Sequence, residues 1–278
     1  MKIRQAKVAR SIEFFRPQFL KKYKFDSYGD PHSPSIFFGC YYDPLDYNAI
    51  LNHQNLGVII WAGSDAMHID PGFIEILKNK SNLYNIAISK YISDDLKNLE
   101  IPHIYRPITP TSTNSEDIRP SPLGEEVYIY YCVGKENFYG VPTAKTIEKE
   151  TGYPFQYCHL NSHTKNDLKQ IYKQSFAGLR LTPHDGFPNT VIELGLRGRK
   201  CCWGGSGIPN AVRCETLEEI TAFLKREYSR ASEGICDKEL AEKVYEYLNH
   251  YKRDWTEEEF YLKGQFNTLT TTNKVWEK

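Results

Sequence analysis

Short apolar runs that leave no polar face recur along this chain, and most are followed by a stretch with helical spacing. "SIFFGCYY", "LGVIIWAG", "LYNIAISKY", "VYIYYCVG", "FQYCHL", "FAGLRL" and "KCCWGG" are such runs. A strand that is apolar on both sides must be covered on both sides, which is the situation inside a parallel sheet flanked by helices. The intervening stretches fit. "DPLDYNAILNHQ" opens with Asp43 and Pro44, "VPTAKTIEKETG" stops at Gly152, and "TLEEITAFLKREY" carries a capping box of Thr216 and Glu219. The chain is therefore expected to be α/β with parallel sheets.

The alternation breaks once. Residues 109–126, "TPTSTNSEDIRPSPLGEE", hold proline, serine, threonine and charge without an apolar period, which is linker composition. The pattern then restarts, so two similar halves are expected: residues 1–110, a linker at 111–126, a second domain at 127–235, and closing helices at 236–278 that include "DWTEEEFYLKG". A length of 278 residues suits two domains of about 100–150 residues each. Ligands of such sheets bind beyond the carboxyl ends of the strands, and a cleft between the halves is the expected place.

Charge and cysteine content exclude several classes. Lys and Arg number 35, as do Asp and Glu, so global charge favours no nucleic acid or other polyanion. The seven cysteines show no C-x-x-C spacing and several sit in strand-like runs, which points to buried thiols in a reducing compartment. No run is long enough to span a membrane and the N-terminus lacks a secretory apolar core, so a cytoplasmic protein is expected. Residues 1–25 hold eight Lys/Arg against one Glu, with Pro17 interrupting. They read as a basic arm packed on the body, or as a surface for peripheral contact with an anionic membrane.

The stretch with most chemistry is "HDGFPNTVIELG", His184 to Gly195, directly after "FAGLRL". Pro188 suits the first turn of a helix, leaving the N–H groups near Asn189 and Thr190 to face the loop, where a phosphate would be attracted. Gly186 would let the backbone approach a ligand. Glu193, four after Asn189 and three after Thr190, shares their helix face and would meet a ribose diol one turn deeper. Asp185 stays in the loop, nearer the diphosphate or its attached group. The bland alternative is ordinary Asp-Gly turn chemistry and a solvated Glu.

"HDGFPNTVIELGLRGRK" followed by "GGSGIPNAV" resembles the donor-binding segment of the retaining GT-B-fold glycosyltransferases related to sucrose and glycogen synthases, often called family four. Asp185 stands where that family usually has Glu, Glu193 matches its second acid, and Gly207, Ile208 and Pro209 match its glycine-rich turn. Asn210 replaces the usual Glu. "YYCVGK" is similar to the first strand of the family's C-terminal domain, which assigns Lys135 to the donor diphosphate. The family's Lys before a later Gly is missing, since Tyr139 precedes Gly140. The resemblance implies a compact GT-B-like fold with two Rossmann-like domains facing a cleft. It implies a UDP- or GDP-sugar as donor, a glycan or other hydroxyl acceptor, retention, and no metal or further cofactor. His184 and the Gly186–Phe187–Pro188–Asn189–Thr190 run would line the donor.

Arg180 interrupts an apolar strand and reads two ways: an ion pair with Asp185, or a second cation for the diphosphate in place of the missing Lys. Ser64, Asp65 and His68 in "WAGSDAMH" end a first-half strand and could meet the acceptor, or merely cap their loop. His159 and His163 flank a strand end and do not suggest a metal pair. "GGSGIP" lacks the placement of a dinucleotide fingerprint. Two other functions stay open: a nucleotide-sugar epimerase or hydrolase of the same fold, and a non-catalytic nucleotide-sugar binder.

Overall fold

The computed structural model describes residues 3–108, 119–159, 162–205 and 207–250. These fall into two compact units, residues 3–108 and residues 119–250. Residues 111–118 of the linker, Ser206 of the "GGSGIP" turn and the last expected helix lie outside the described residues.

The first unit is built on a six-stranded parallel sheet of order β2-β1-β3-β4-β5-β6. Its strands are β1 (Gln5–Val8), β2 (Asp26–Ser27), β3 (Ser35–Phe38), β4 (Gly57–Trp61), β5 (Leu83–Ala87) and β6 (Ile104–Tyr105). Every residue of β3 and β4 is buried, as their apolar wording requires. Trp61 is sealed in the core, where its indole N–H donates to Asn85 Oδ1 at 3.0 Å. Asp43 and Asp70 cap the helices that follow β3 and β4, α2 (Pro44–Leu51) and α3 (Pro71–Asn79), each with proline in the first turn. Helix α4 (Lys90–Asn98) links β5 to β6.

Residues 3–25 pack into the first unit and extend its sheet. Within them lie β1, a 3-10 helix (Arg10–Phe15) and α1 (Arg16–Tyr23), and β1 is an interior strand paired with both β2 and β3. Strand "QAKV" has no apolar run to announce it; its Gln5 is buried instead by amide bonds to Ser35 Oγ and the Gly29 N–H. Helix α1 is anchored by Phe19, fully buried and stacked on Phe38 of β3 with ring centroids 4.6 Å apart. The bases thus belong to a packed element. Among the described residues no helix is long and apolar enough to cross a membrane.

The second unit carries a five-stranded parallel sheet of order β11-β10-β9-β7-β8. The strands are β7 (Glu126–Tyr131), β8 (Phe155–His159), β9 (Ser175–Arg180), β10 (Lys200–Trp203) and β11 (Ala211–Val212). Helices α5 (Val141–Thr151), α6 (Lys165–Gln174), α7 (Asn189–Gly195), α8 (Leu217–Ser232) and α9 (Lys238–His250) complete it. Val127, Ile129, Ala177 and Leu179 of the sheet meet Ile147 of α5 and Phe223 and Leu224 of α8 in one core. The capping box of Thr216 and Glu219 opens α8, and a second one, Thr164 with Asp167, opens α6. Residues 121–125, read as linker, are fastened to this unit. Leu123 is buried, its N–H bonds the Ile235 carbonyl, and the N–H groups of Gly124 and Glu125 bond Ser175 and Gln174. All seven cysteines carry free thiols.

Candidate functional site

In the second sheet β7 lies between β8 and β9. From β7 the chain passes through α5 to β8 on one side, then through α6 to β9 on the other, so the loops leaving β7 and β9 diverge. Such a switch in strand order opens a crevice beyond the carboxyl ends of the strands, where open α/β sheets take their ligands. The candidate residues of the second unit gather around it.

Arg180 is the last residue of β9. The register that pairs Ile129 with Leu179 brings Tyr130 of β7 beside it. The guanidinium carbon lies 5.3 Å from the Tyr130 ring centroid and 4.9 Å from that of Tyr139, in the loop after β7. Its Nε donates to Asp185 Oδ2 at 2.6 Å, and Thr182 Oγ1 donates to the same oxygen at 3.3 Å. Among the described residues the guanidinium makes no other hydrogen bond. Burial alone would lower its pKa; the charge and hydrogen bond of Asp185 outweigh this and hold it above the ordinary arginine value. Burial pushes the Tyr139 phenol up to about 12, and the Cys132 sulfur lies 3.2 Å from its oxygen. Lys135 is exposed in the turn after β7. Gly140, at the start of α5, has φ +68°, and a Cβ there would lie 2.5 Å from Leu181 Cβ, so α5 can begin against Leu181 only because this residue is glycine.

Helix α7 begins at Asn189, with Pro188 as its N-cap in extended conformation, and ends at Gly195. The pattern "PNTVIELGLRGR" predicts a helix from Pro188 to Arg199; the helix is shorter, ending at Gly195. Asn189 and Thr190 open the helix half-buried, and Asn189 Oδ1 is a buried acceptor without a hydrogen bond among the described residues. Glu193 is half-buried and accepts from the Tyr172 hydroxyl at 2.6 Å. Burial first, and then the Glu193 charge, raises the Tyr172 phenol well above its usual value, so it stays a donor. Arg197 lies over the Tyr172 ring at 5.1 Å and donates to the Glu193 carbonyl at 2.7 Å. Gly186 and Phe187 are buried, the Phe187 ring stacked on Tyr247 of α9 rather than turned outward, and His184 is half-buried.

Asn210 is no ligand contact. It is fully buried beneath α7, and its Nδ2 donates to the Val191 and Arg199 carbonyls at 2.7 and 3.0 Å. Among the described residues no cluster of His, Cys, Asp or Glu could hold a metal ion; the His163 ring bonds Ser162 Oγ.

In the first unit Ser64 and His68 are exposed in the loop after β4, but Asp65 is not. Its carboxylate is buried and accepts N–H bonds from Cys40, Ala62, Gly63 and Ala66, so it braces two loops and has no room for an acceptor. The strand-order switch of this sheet falls between β1 and β3, whose following loops, residues 9–15 and 39–43, sequence reasoning did not single out. Tyr130, Tyr139 and Tyr172 were missed as well. Their one signal is a tyrosine in a run or helix that closes on a charged residue, and that is visible only once the strands are in order.

No family model matches the sequence, and a search of curated proteins finds no match. Solved structures do match. The chain is similar to sucrose-phosphate synthase from Thermosynechococcus elongatus, with TM-score 0.57 and 12% identity over 95% of this chain and 81% of that one. It is similar to the lipopolysaccharide outer core galactosyltransferase WaaB, with TM-score 0.53 and 14% identity over 84% and 75%. An S. aureus TarM mutant solved with Fondaparinux, alpha-GlcNAc-glycerol and UDP matches with TM-score 0.53 and 12% identity over 85% of this chain and 55% of that one, so the chain spans about half the length of TarM. Two parallel-sheet Rossmann-like units in one chain, matched across these neighbours, give the protein the fold of the GT-B glycosyltransferases.

Proposed function

We propose that the chain is a glycosyltransferase that holds a nucleoside-diphosphate sugar on its second unit and passes the sugar to a hydroxyl of a glycan or similar acceptor. The observation that carries this reading is Glu193, a half-buried carboxylate on α7 beyond the carboxyl end of β9, bonded by Tyr172 and eight residues after Asp185. A carboxylate so placed accepts from the two hydroxyls of a ribose, while Arg180 and Lys135 stand with the loop after β7 to meet the diphosphate. Charge grows on the leaving diphosphate as the glycosidic bond breaks, and fixed cations and backbone N–H groups stabilise it. The resemblance of the segment from Asp185 to Glu193 to the retaining GT-B glycosyltransferases implies retention and a reaction without metal. Ser64 and His68 are the acceptor-side candidates. The neighbour solved with UDP is consistent with this donor class.

Calorimetric titration with UDP and GDP tests the reading. One of them binds the wild type, and Glu193→Ala weakens it by about 10- to 100-fold, the loss of about 1.5–3 kcal/mol for hydrogen bonds to a charged group. Absence of binding by both nucleotides would sink it. Incubating a sugar nucleotide with and without acceptor separates transfer from hydrolysis or epimerisation, and from binding alone.

A further inference from the structure

Asp185 occupies a position at which the resemblance puts a longer acid, and the missing methylene matters here. Its carboxylate accepts from Arg180, with Nε 2.6 Å from Oδ2. The two side chains are 11% and 14% exposed, so this is a largely desolvated pair and not a screened surface contact. Meanwhile Tyr139 stands where the resemblance expects a lysine before Gly140, and its ring lies 4.9 Å from the guanidinium. The cation missing from one loop has been brought in from the neighbouring strand and seated on the tyrosine that replaces it.

Resting on the nucleotide-sugar reading, we propose that Arg180 is the diphosphate-binding cation of this site, and that Asp185 is a positioning residue that holds it and does not contact the transferred sugar. A free arginine would lose much rotamer entropy on gripping a phosphate. Here the carboxylate fixes the guanidinium at Nε, the rings of Tyr130 and Tyr139 meet edge to face at 5.7 Å around it, and the two Nη nitrogens are left to donate. Among the described residues neither Nη makes a hydrogen bond, and the Arg180 side chain keeps 11% of its surface exposed. An Nη pair is the fork that takes two phosphate oxygens at once.

Calorimetry on D185N, R180M and the double variant tests this with three ligands: the nucleoside, its diphosphate, and the matching sugar nucleotide. The expected result is that D185N and R180M each cost about tenfold or more in affinity for the diphosphate, the equivalent of about 1.4 kcal/mol or more. They should cost the same for the sugar nucleotide and nothing for the nucleoside. The double variant should be no weaker than R180M, because Asp185 acts only through Arg180. Should R180M fail to fold, D185N alone decides. A loss confined to the sugar nucleotide would make Asp185 a sugar contact. A gain in diphosphate affinity would make the pair a self-neutralising ion pair. Independent, multiplying losses would uncouple the two residues. Any of the three overturns the proposal while leaving the donor reading intact; no preference of the wild type for diphosphate over nucleoside would overturn both.

Discussion

Arg180, largely shielded, and Arg199, fully buried, are both cations of the second unit, one closing β9 and the other preceding β10, yet they differ in what they leave over. Arg199 is fully buried, and its partners among the described residues are oxygens of backbone or serine. Its Nε donates to the Ser175 carbonyl, one Nη to Ser121 and Arg197 carbonyls, and the other to Ser121 Oγ and the Pro122 and Lys173 carbonyls. Burial draws its pKa down to about 10, still far above neutrality. Five donors are consumed, so Arg199 is a fastener. Arg199→Ala is expected to strand several buried carbonyls and cost about 3 kcal/mol or more, read as a lower urea midpoint at unchanged slope. Sequence alone singled out Arg180, because it interrupts an apolar strand. It passed over Arg199, because "LGLRGRK" offers no apolar run for a charge to interrupt. The acids of the site were legible for a related reason: their spacing is fixed along one helix and one loop. The aromatic half was not, since Tyr130, Tyr139 and Tyr172 reach Arg180 and Glu193 across strands and helices distant in sequence.

Among elements, α7 is the one on which the proposed function depends, and it has only seven residues. So short a helix does not hold itself; it is held by close approach to what lies beneath. A Cβ on Gly195 would fall 2.5 Å from Asn210 Cγ and Oδ1, the amide that ties Val191 of the helix to the Arg199 carbonyl. Gly195→Ala should therefore displace Asn210, cost about 1–3 kcal/mol of stability, and weaken nucleoside diphosphate binding by shifting Glu193. A urea melt and a titration on the same preparation check the two effects. Most elements were readable because a doubly buried strand must be apolar throughout, as β4 is. Strand β1 was not, because its Gln5 is buried through a hydrogen-bond network and not through an apolar run. The ends of α7 were misjudged because its stop depends on Gly195 packing, not on helix propensity.

At the scale of the molecule, the doubling of the fold followed from the restart of the strand–helix alternation after residue 126, but strand order did not, because each crossover can go either way along a sheet. Acid is expected to weaken the first unit. His53 and His103, both in the first unit, have pKa values lowered, chiefly by burial. The unfolded chain thus takes up protons at a higher pH than the folded one, and stability is lost as pH falls through the ordinary histidine range, by at most about 1.4 kcal/mol per pH unit for each group. Asp65, raised by burial despite its four N–H donors, acts in the opposite sense toward the carboxylate range. Melting temperatures at pH 7.5 and 5.5 should show the drop, and His103→Gln should lessen it. The margins of the two sheets also differ in kind. Among the described residues β2, β6 and β11 are edge strands of two residues each, while β8, "FQYCH", is an edge of five without a Lys, Asp or Glu. Short edges give a foreign strand nothing to copy, whereas a long uncharged one is a template for it. Aggregation of this protein during heating or overexpression should therefore begin along β8, and a lysine at Gln156 is the change that would slow it.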